Sequence, residues 1–119
     1  MPISINQIEF NPLQQQRTLV QYCRERNIQV MGYSPLAKGA VLRSPEVRAV
    51  AAECGCTPAQ AAIAWSLGRG AVTIPKATKP AHIDSNLEAV RLRLPDTALA
   101  RLDTLHCDYR CTWDSRRVS

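Results

Sequence analysis

The sequence predicts an α/β fold, an open piece of a (β/α)8 TIM barrel, and three observations carry that reading. An apolar stretch runs into a polar turn and then a capped helix three times within 119 residues. The turns carry Gln7, Tyr33-Ser34 and Lys76, polar residues at the C-terminal ends of strands, where such barrels hold their chemistry. Helical segments of this length between strands favour parallel pairing through right-handed crossovers. A closed barrel needs eight such units and roughly 250 residues, so about three parallel strands with their helices are expected, open rather than closed. An open parallel sheet leaves two unpaired edges and one uncovered face. Self-association through those edges is therefore expected.

The first strand is predicted from Ile3 to Phe10, where Ile3, Ile5, Gln7 and Glu9 alternate with Asn6, Ile8 and Phe10. Asn11-Pro12 ends it. From Gln14 to Arg26, Leu19, Tyr22 and Cys23 recur three and four apart among polar residues, the pattern of an amphipathic helix with one buried stripe. Gln29 to Tyr33 is a short second strand bounded by Ser34-Pro35, and Leu36 to Arg43 reads as an irregular loop.

Ser44 caps the next helix, Pro45 takes its first position, Val47, Val50, Ala51 and Cys54 form its apolar stripe, and Gly55 stops it. Thr57-Pro58-Ala59-Gln60 is a capping box that opens a helix through Trp65 and Leu67, ended by Gly68 and Gly70. Ala71 to Ile74 is the third strand, with Pro75-Lys76-Ala77-Thr78 as its polar exit. Pro80 starts a helix with Ile83, Leu87 and Val90 on one face, and Asp96 caps a last helix holding Leu99 and Leu102. The tail from Cys107 to Ser119 has no periodicity, which divides the chain into a folded part, 1–105, and an irregular tail, 106–119.

The composition, 45% hydrophobic and 5% aromatic, is that of a soluble globular domain with a usable core. No stretch suits a membrane, and Met1 to Asn6 has neither the charge nor the apolar run of a secretory signal, so the expected location is cytoplasmic. Five cysteines, an odd number in a core-forming sequence, read as thiols rather than a disulfide frame. The net charge of +5 would suit a phosphate-bearing partner, but the basic residues are scattered.

Four segments carry a resemblance. Asn6-Gln7-Ile8-Glu9-Phe10-Asn11-Pro12, Gly32-Tyr33-Ser34-Pro35-Leu36-Ala37-Lys38-Gly39, Thr57 to Trp65, and Ile74-Pro75-Lys76 with Asn86-Leu87 resemble the C-terminal part of the aldo-keto reductases, in that family's order and spacing. The resemblance runs from about Ile3 to Leu105 and begins at the family's sixth barrel strand. It implies a (β/α)8 barrel that uses NADPH to reduce aldehydes and ketones to alcohols.

Residue by residue, the resemblance implies that the Gln7 amide holds the nicotinamide carboxamide, a task for a group that both donates and accepts. Tyr33 would stack on the nicotinamide ring. Ser34, Leu36 and Lys38 match the loop over the pyrophosphate, Lys76 and Thr78 the group around the adenosine ribose and its 2'-phosphate, and Asn86 the asparagine that reads adenine. A phosphate near the start of the helix after Pro80 would also meet its free N–H groups. Two positions depart from the commoner pattern: Ala77 stands where serine is frequent, and His82 where an arginine pairs with the 2'-phosphate. A neutral imidazole offers less than a guanidinium fork, so the choice between NADP(H) and NAD(H) stays open. In the tail, Cys111-Thr112-Trp113-Asp114 is similar to that of some microbial-type members, and Trp113 would line the substrate pocket.

The family's acid tyrosine and its lysine, histidine and aspartate all precede the sixth strand, so no catalytic residue is expected here. Without the acid, the alkoxide formed by hydride transfer has no proton donor. A carbonyl substrate is expected only where the N-terminal half is supplied, and the rival within this reading is a non-catalytic remnant or interaction module.

Two other classes compete. Val47 to Leu67 also reads as a helix-turn-helix, although Ala59, Gln60 and Ser66 are poor readers of base edges, so no nucleic-acid partner is expected. Cys54, Cys56, His106, Cys107 and Cys111 offer thiol and imidazole ligands for zinc, but one residue between Cys54 and Cys56 is tighter than usual, and no metal is expected.

Overall fold

The structure, a computed structural model, describes residues 4–74 and 80–106, with Ile74 described in its backbone only. Three strands, β1 (Ile5–Glu9), β2 (Gln29–Tyr33) and β3 (Val72–Ile74), form one parallel sheet in the order β1-β2-β3. Between them run α1 (Arg17–Glu25), then α2 (Pro45–Cys54) and α3 (Pro58–Gly68); α4 (Pro80–Arg91) and α5 (Asp96–Asp103) follow. The predicted α/β class, parallel pairing and open sheet are all observed.

Register fixes two faces. Asn6 pairs with Val30 and Ile8 with Gly32, and this side, with Phe10, lies under the helices. Its core joins Ile8, Phe10 and Val30 to Cys23 of α1, Val47 and Val50 of α2, Trp65 of α3, and Ala98 and Leu102 of α5. Phe10 and Trp65 stack with ring centroids 4.9 Å apart. Gly32 is required there, because a Cβ would lie 3.0 Å from the Phe10 Cβ. The opposite face carries Ile5, Gln7, Met31, Tyr33 and Val72 and has no helix over it among the described residues: Ile5 and Val72 are 54% and 45% exposed.

Local signals set the helix ends as expected at α2 and α3. The Ser44 hydroxyl accepts from Val47 N–H, Pro45 follows, and Gly55 closes α2 at φ 70°. Thr57 and Gln60 exchange both capping-box hydrogen bonds, at 3.1 and 3.0 Å. The six residues Ala61–Ser66 of α3 are all buried. A recognition helix must offer one face to a groove, and six consecutive buried residues leave α3 no long exposed face of that kind.

Elsewhere the structure corrects the expectations. α1 begins at Arg17 rather than Gln14, since Asn11 and Gln14 bridge to each other and Gln16 is left-handed at φ 46°. Tyr22 is not in the buried stripe: it is 49% exposed with the Arg26 guanidinium 3.8 Å above its ring, an arrangement favourable in water. Residues 37–43 form two short 3-10 turns, Ala37–Gly39 and Val41–Arg43. Pro95, not Asp96, occupies the cap position of α5. The stripe Ile83, Leu87 and Val90 does share a face of α4, but that face is open, at 43%, 62% and 53% exposed.

No helix among the described residues is long and apolar enough to cross a membrane. The tail lies outside the described residues beyond His106, whose Nδ1 accepts from Gln15 N–H at 3.0 Å.

Candidate cofactor site

Strand parity puts Gln7 and Tyr33 on the same uncovered face. Gln7 pairs with Met31, so Tyr33 stands one strand over and two residues along, with Cα atoms on the order of 8 Å apart. Gln7 is exposed and Tyr33 half-buried. A flat apolar ring and an exposed amide thus share one face of the sheet.

The rim beside Tyr33 is held under strain. Ser34, Ala37 and Lys38 have φ of 52°, 51° and 52°, the left-handed region, each costing about 1–3 kcal/mol for a residue with a Cβ. What holds them is local bonding and burial. The Asn11 amide donates to Ser34 O at 3.1 Å, Phe10 N–H donates to Tyr33 O at 3.1 Å, and Ala37 is fully buried. Leu36 packs against the core, and its carbonyl accepts from Gly39 and Val41 N–H at 2.9 and 3.2 Å. Lys38 is exposed and makes no ion pair among the described residues. The loop that follows Tyr33 therefore presents a hydrogen-bonded backbone and, in Lys38, an exposed cation with no ion pair among the described residues.

The structure brings Gln7, Tyr33, Ser34, Leu36 and Lys38 together. His82 is exposed on the first turn of α4. Asn86, half-buried one turn further, lines a groove of about 440 Å³ with Ile63, Leu67, Val72, Thr73 and Leu87. Within that groove wall Thr73 Oγ1 is buried without a hydrogen-bond partner among the described residues. Lys76, Thr78 and Trp113 lie outside the described residues.

Two polar residues at this rim were not singled out from the sequence. Glu9, paired in register with Tyr33, is 2% exposed, and Asn11 is fully buried. Asn11 Oδ1 accepts from Leu13 and Gln14 N–H at 2.9 and 3.0 Å while its amide reaches Ser34, so it ties the exit of β1 to the loop after β2. Alternation did place Glu9 on the Gln7 face; burial at the strand end depends on neighbours far along the chain. Among the described residues, no group of three or more His, Cys, Asp or Glu side chains could hold a metal ion.

Known proteins share this architecture. The chain is 35% identical to the aldo/keto reductase slr0942 of Synechocystis sp. over 122 aligned residues, covering 92% of this chain and 37% of that protein. It is 39% identical to the methylglyoxal reductase DkgB of Yersinia pestis, covering 87% of this chain and 39% of that protein. A crystal structure of a Gox0644 mutant in complex with NADPH superimposes with a TM-score of 0.90 at 31% identity, covering 98% of this chain and 43% of that one. The chain thus spans less than half the length of these relatives. With residues 1–106 also matching the profile of the Aldo/keto reductase family, the chain belongs to that family.

Proposed function

We propose that this chain is the C-terminal, cofactor-binding part of an NADPH-dependent aldo-keto reductase that converts aldehydes and ketones to alcohols, with residues 1–105 in the reductase domain and 106–119 as its tail. The observation that carries this reading is the shared face of Gln7 and Tyr33 beside the strained loop from Ser34 to Lys38. When bound, the reduced nicotinamide supplies the hydride for the carbonyl carbon.

The residues of this chain bind and orient. Gln7 pairs with the carboxamide through both functions of its amide, and Tyr33 covers one ring face. Ser34, Leu36 and Lys38 form the wall along the pyrophosphate, with Lys38 as its charge. Lys76, Thr78 and His82 surround the 2'-phosphate end, near the N–H groups that open α4, and Asn86 reads the adenine. Trp113 lines the substrate pocket. In this reading the proton for the alkoxide, and the groups that orient its donor, would be supplied by the strands that precede the sixth in the family's barrel. The cytoplasm, where cysteines are kept as thiols, is the location this reading carries.

Calorimetric titration of the 119-residue chain with NADPH is expected to show weak binding at best, and the chain should not turn over a simple aldehyde. Supplying the N-terminal strands of a family member should restore turnover. In that complex Tyr33→Ala should weaken NADPH binding several-fold, a loss of about 0.5–1.5 kcal/mol for a stacked ring. Turnover by the pure short chain, or a completed complex indifferent to Tyr33→Ala and Gln7→Ala, would overturn the reading.

A further inference from the structure

We propose that Cys54 and Cys56 form a reversible dithiol–disulfide pair, a redox-sensitive modification site at the corner between α2 and α3. The corner is built by Gly55, which closes α2 in the left-handed conformation at φ 70°, ψ 33°. A single residue of helical geometry, of either hand, separates the Cα atoms on its two sides by about 5.4 Å. Disulfides span Cα separations of roughly 4.4–6.8 Å, so the spacing of the two Cα atoms meets that requirement.

Both cysteines are half-buried, neither enclosed in the core nor fully in water, and Cys54 rests against the core's edge. Burial, and after it the charge of Cys54, push the Cys56 thiol above its ordinary range, so the two sulfurs lie within electrostatic reach of each other. Cys56 N–H donates to Ala51 O at 3.0 Å, which turns the chain back over the last turn of α2. The third described thiol, Cys23, is 1% exposed in the core and takes no part.

The chemistry needs only a low-molecular-weight disulfide as oxidant. The thiolate of one cysteine attacks it; its S–S bond breaks, a mixed disulfide forms, and one small thiol leaves. The second thiolate then attacks the protein sulfur of that mixed disulfide, forming the Cys54 Sγ–Cys56 Sγ bond and releasing the second small thiol. The protein loses two electrons and two protons, and the small disulfide is reduced to two thiols. Closing so short a ring strains the bond, and strained disulfides are the readily reduced, regulatory kind. This site is independent of the cofactor reading.

The test equilibrates the whole chain in buffers of oxidised and reduced glutathione at graded ratios, alkylates free thiols and maps the cysteines by mass spectrometry. The peptide holding Cys54 and Cys56 should convert from a doubly alkylated form to one ~2 Da lighter than the free dithiol, and dithiothreitol should reverse this. Cys54→Ser and Cys56→Ser, checked for unchanged circular dichroism, should each leave the other thiol carrying a stable mixed disulfide. A peptide alkylated twice at every ratio, one holding two mixed disulfides, or one joined to Cys107 or Cys111 would each overturn the proposal. The wild-type map decides the question even where a serine variant fails to fold.

Discussion

Asn11 shows how one side chain shapes the rim without belonging to any strand or helix. It satisfies three backbone groups at once: Leu13 N–H, Gln14 N–H and Ser34 O. Since the residue is fully buried, no water replaces those partners on truncation. Asn11→Ala should cost about 1–3 kcal/mol, the range for a buried polar group left unsatisfied, read as a lower urea midpoint. Asn11→Asp separates the two roles. Its carboxylate still accepts from Leu13 and Gln14 but sets an oxygen against the Ser34 carbonyl, so the loop after β2 should loosen and exchange its amide hydrogens faster. Equal stability of wild type and Asn11→Ala would show that the loop's left-handed residues hold without this bond. The Asn-Pro pair marks the turn in the sequence, but its partner Ser34 is a contact 23 positions away.

Among elements, α3 carries the most burial and the clearest local signal. Its capping box was legible from Thr57 and Gln60 because both bonds close within four residues. The structure adds a second use for Gln60, whose amide also donates to Ser85 O at 3.2 Å and Glu88 Oε2 at 3.3 Å on α4. Thr57→Ala should therefore cost about 1 kcal/mol, the ordinary loss of a cap. Gln60→Ala should cost more, because it removes the cap and the tie to α4 together. Chemical denaturation of both variants checks the order, and equal losses would mean the α3–α4 tie contributes nothing. α5 is held to the same layer from another side: Arg101 pairs with Glu46 at 2.9 Å and Glu53 at 2.5 Å of α2, hydrogen bonds that push its guanidinium pKa above the ordinary arginine range. These groups are exposed enough for water to screen them.

For the molecule as a whole, the open face is the decisive feature. Among the described residues β1 and β3 each have one unpaired edge, Ile5 and Val72 are exposed, and Ile83, Leu87 and Val90 of α4 stay exposed along the groove they share with Ile63 and Val72. In a (β/α)8 barrel both edges are paired, and less than half of each full-length relative is covered by this chain. The isolated chain should consequently associate as concentration rises. Leu87→Glu, at a residue 62% exposed, should shift size-exclusion elution toward the monomer without loss of helix signal. An unchanged profile would place the association elsewhere.

By itself, the sequence determined whatever is settled within a few residues. The order of strands and helices, the caps at Ser44 and Thr57, the stop at Gly55 and the two-residue alternation of β1 are of this kind. So was the set of residues resembling a nicotinamide site, since motifs are local strings. Tertiary structure alone decided which apolar surface is covered, as the contrast between the Trp65 and Leu87 helices makes plain: α3 is apolar almost all round and buries six consecutive residues, whereas the apolar stripe of α4 stays exposed. It also decided that Tyr22 stays in water, that Glu9 and Asn11 are buried, and that Asn86 looks into the groove at β3. The physical reason is one of range: hydrogen bonds that cap a helix close over three or four residues, whereas burial is a sum over neighbours contributed by the entire chain.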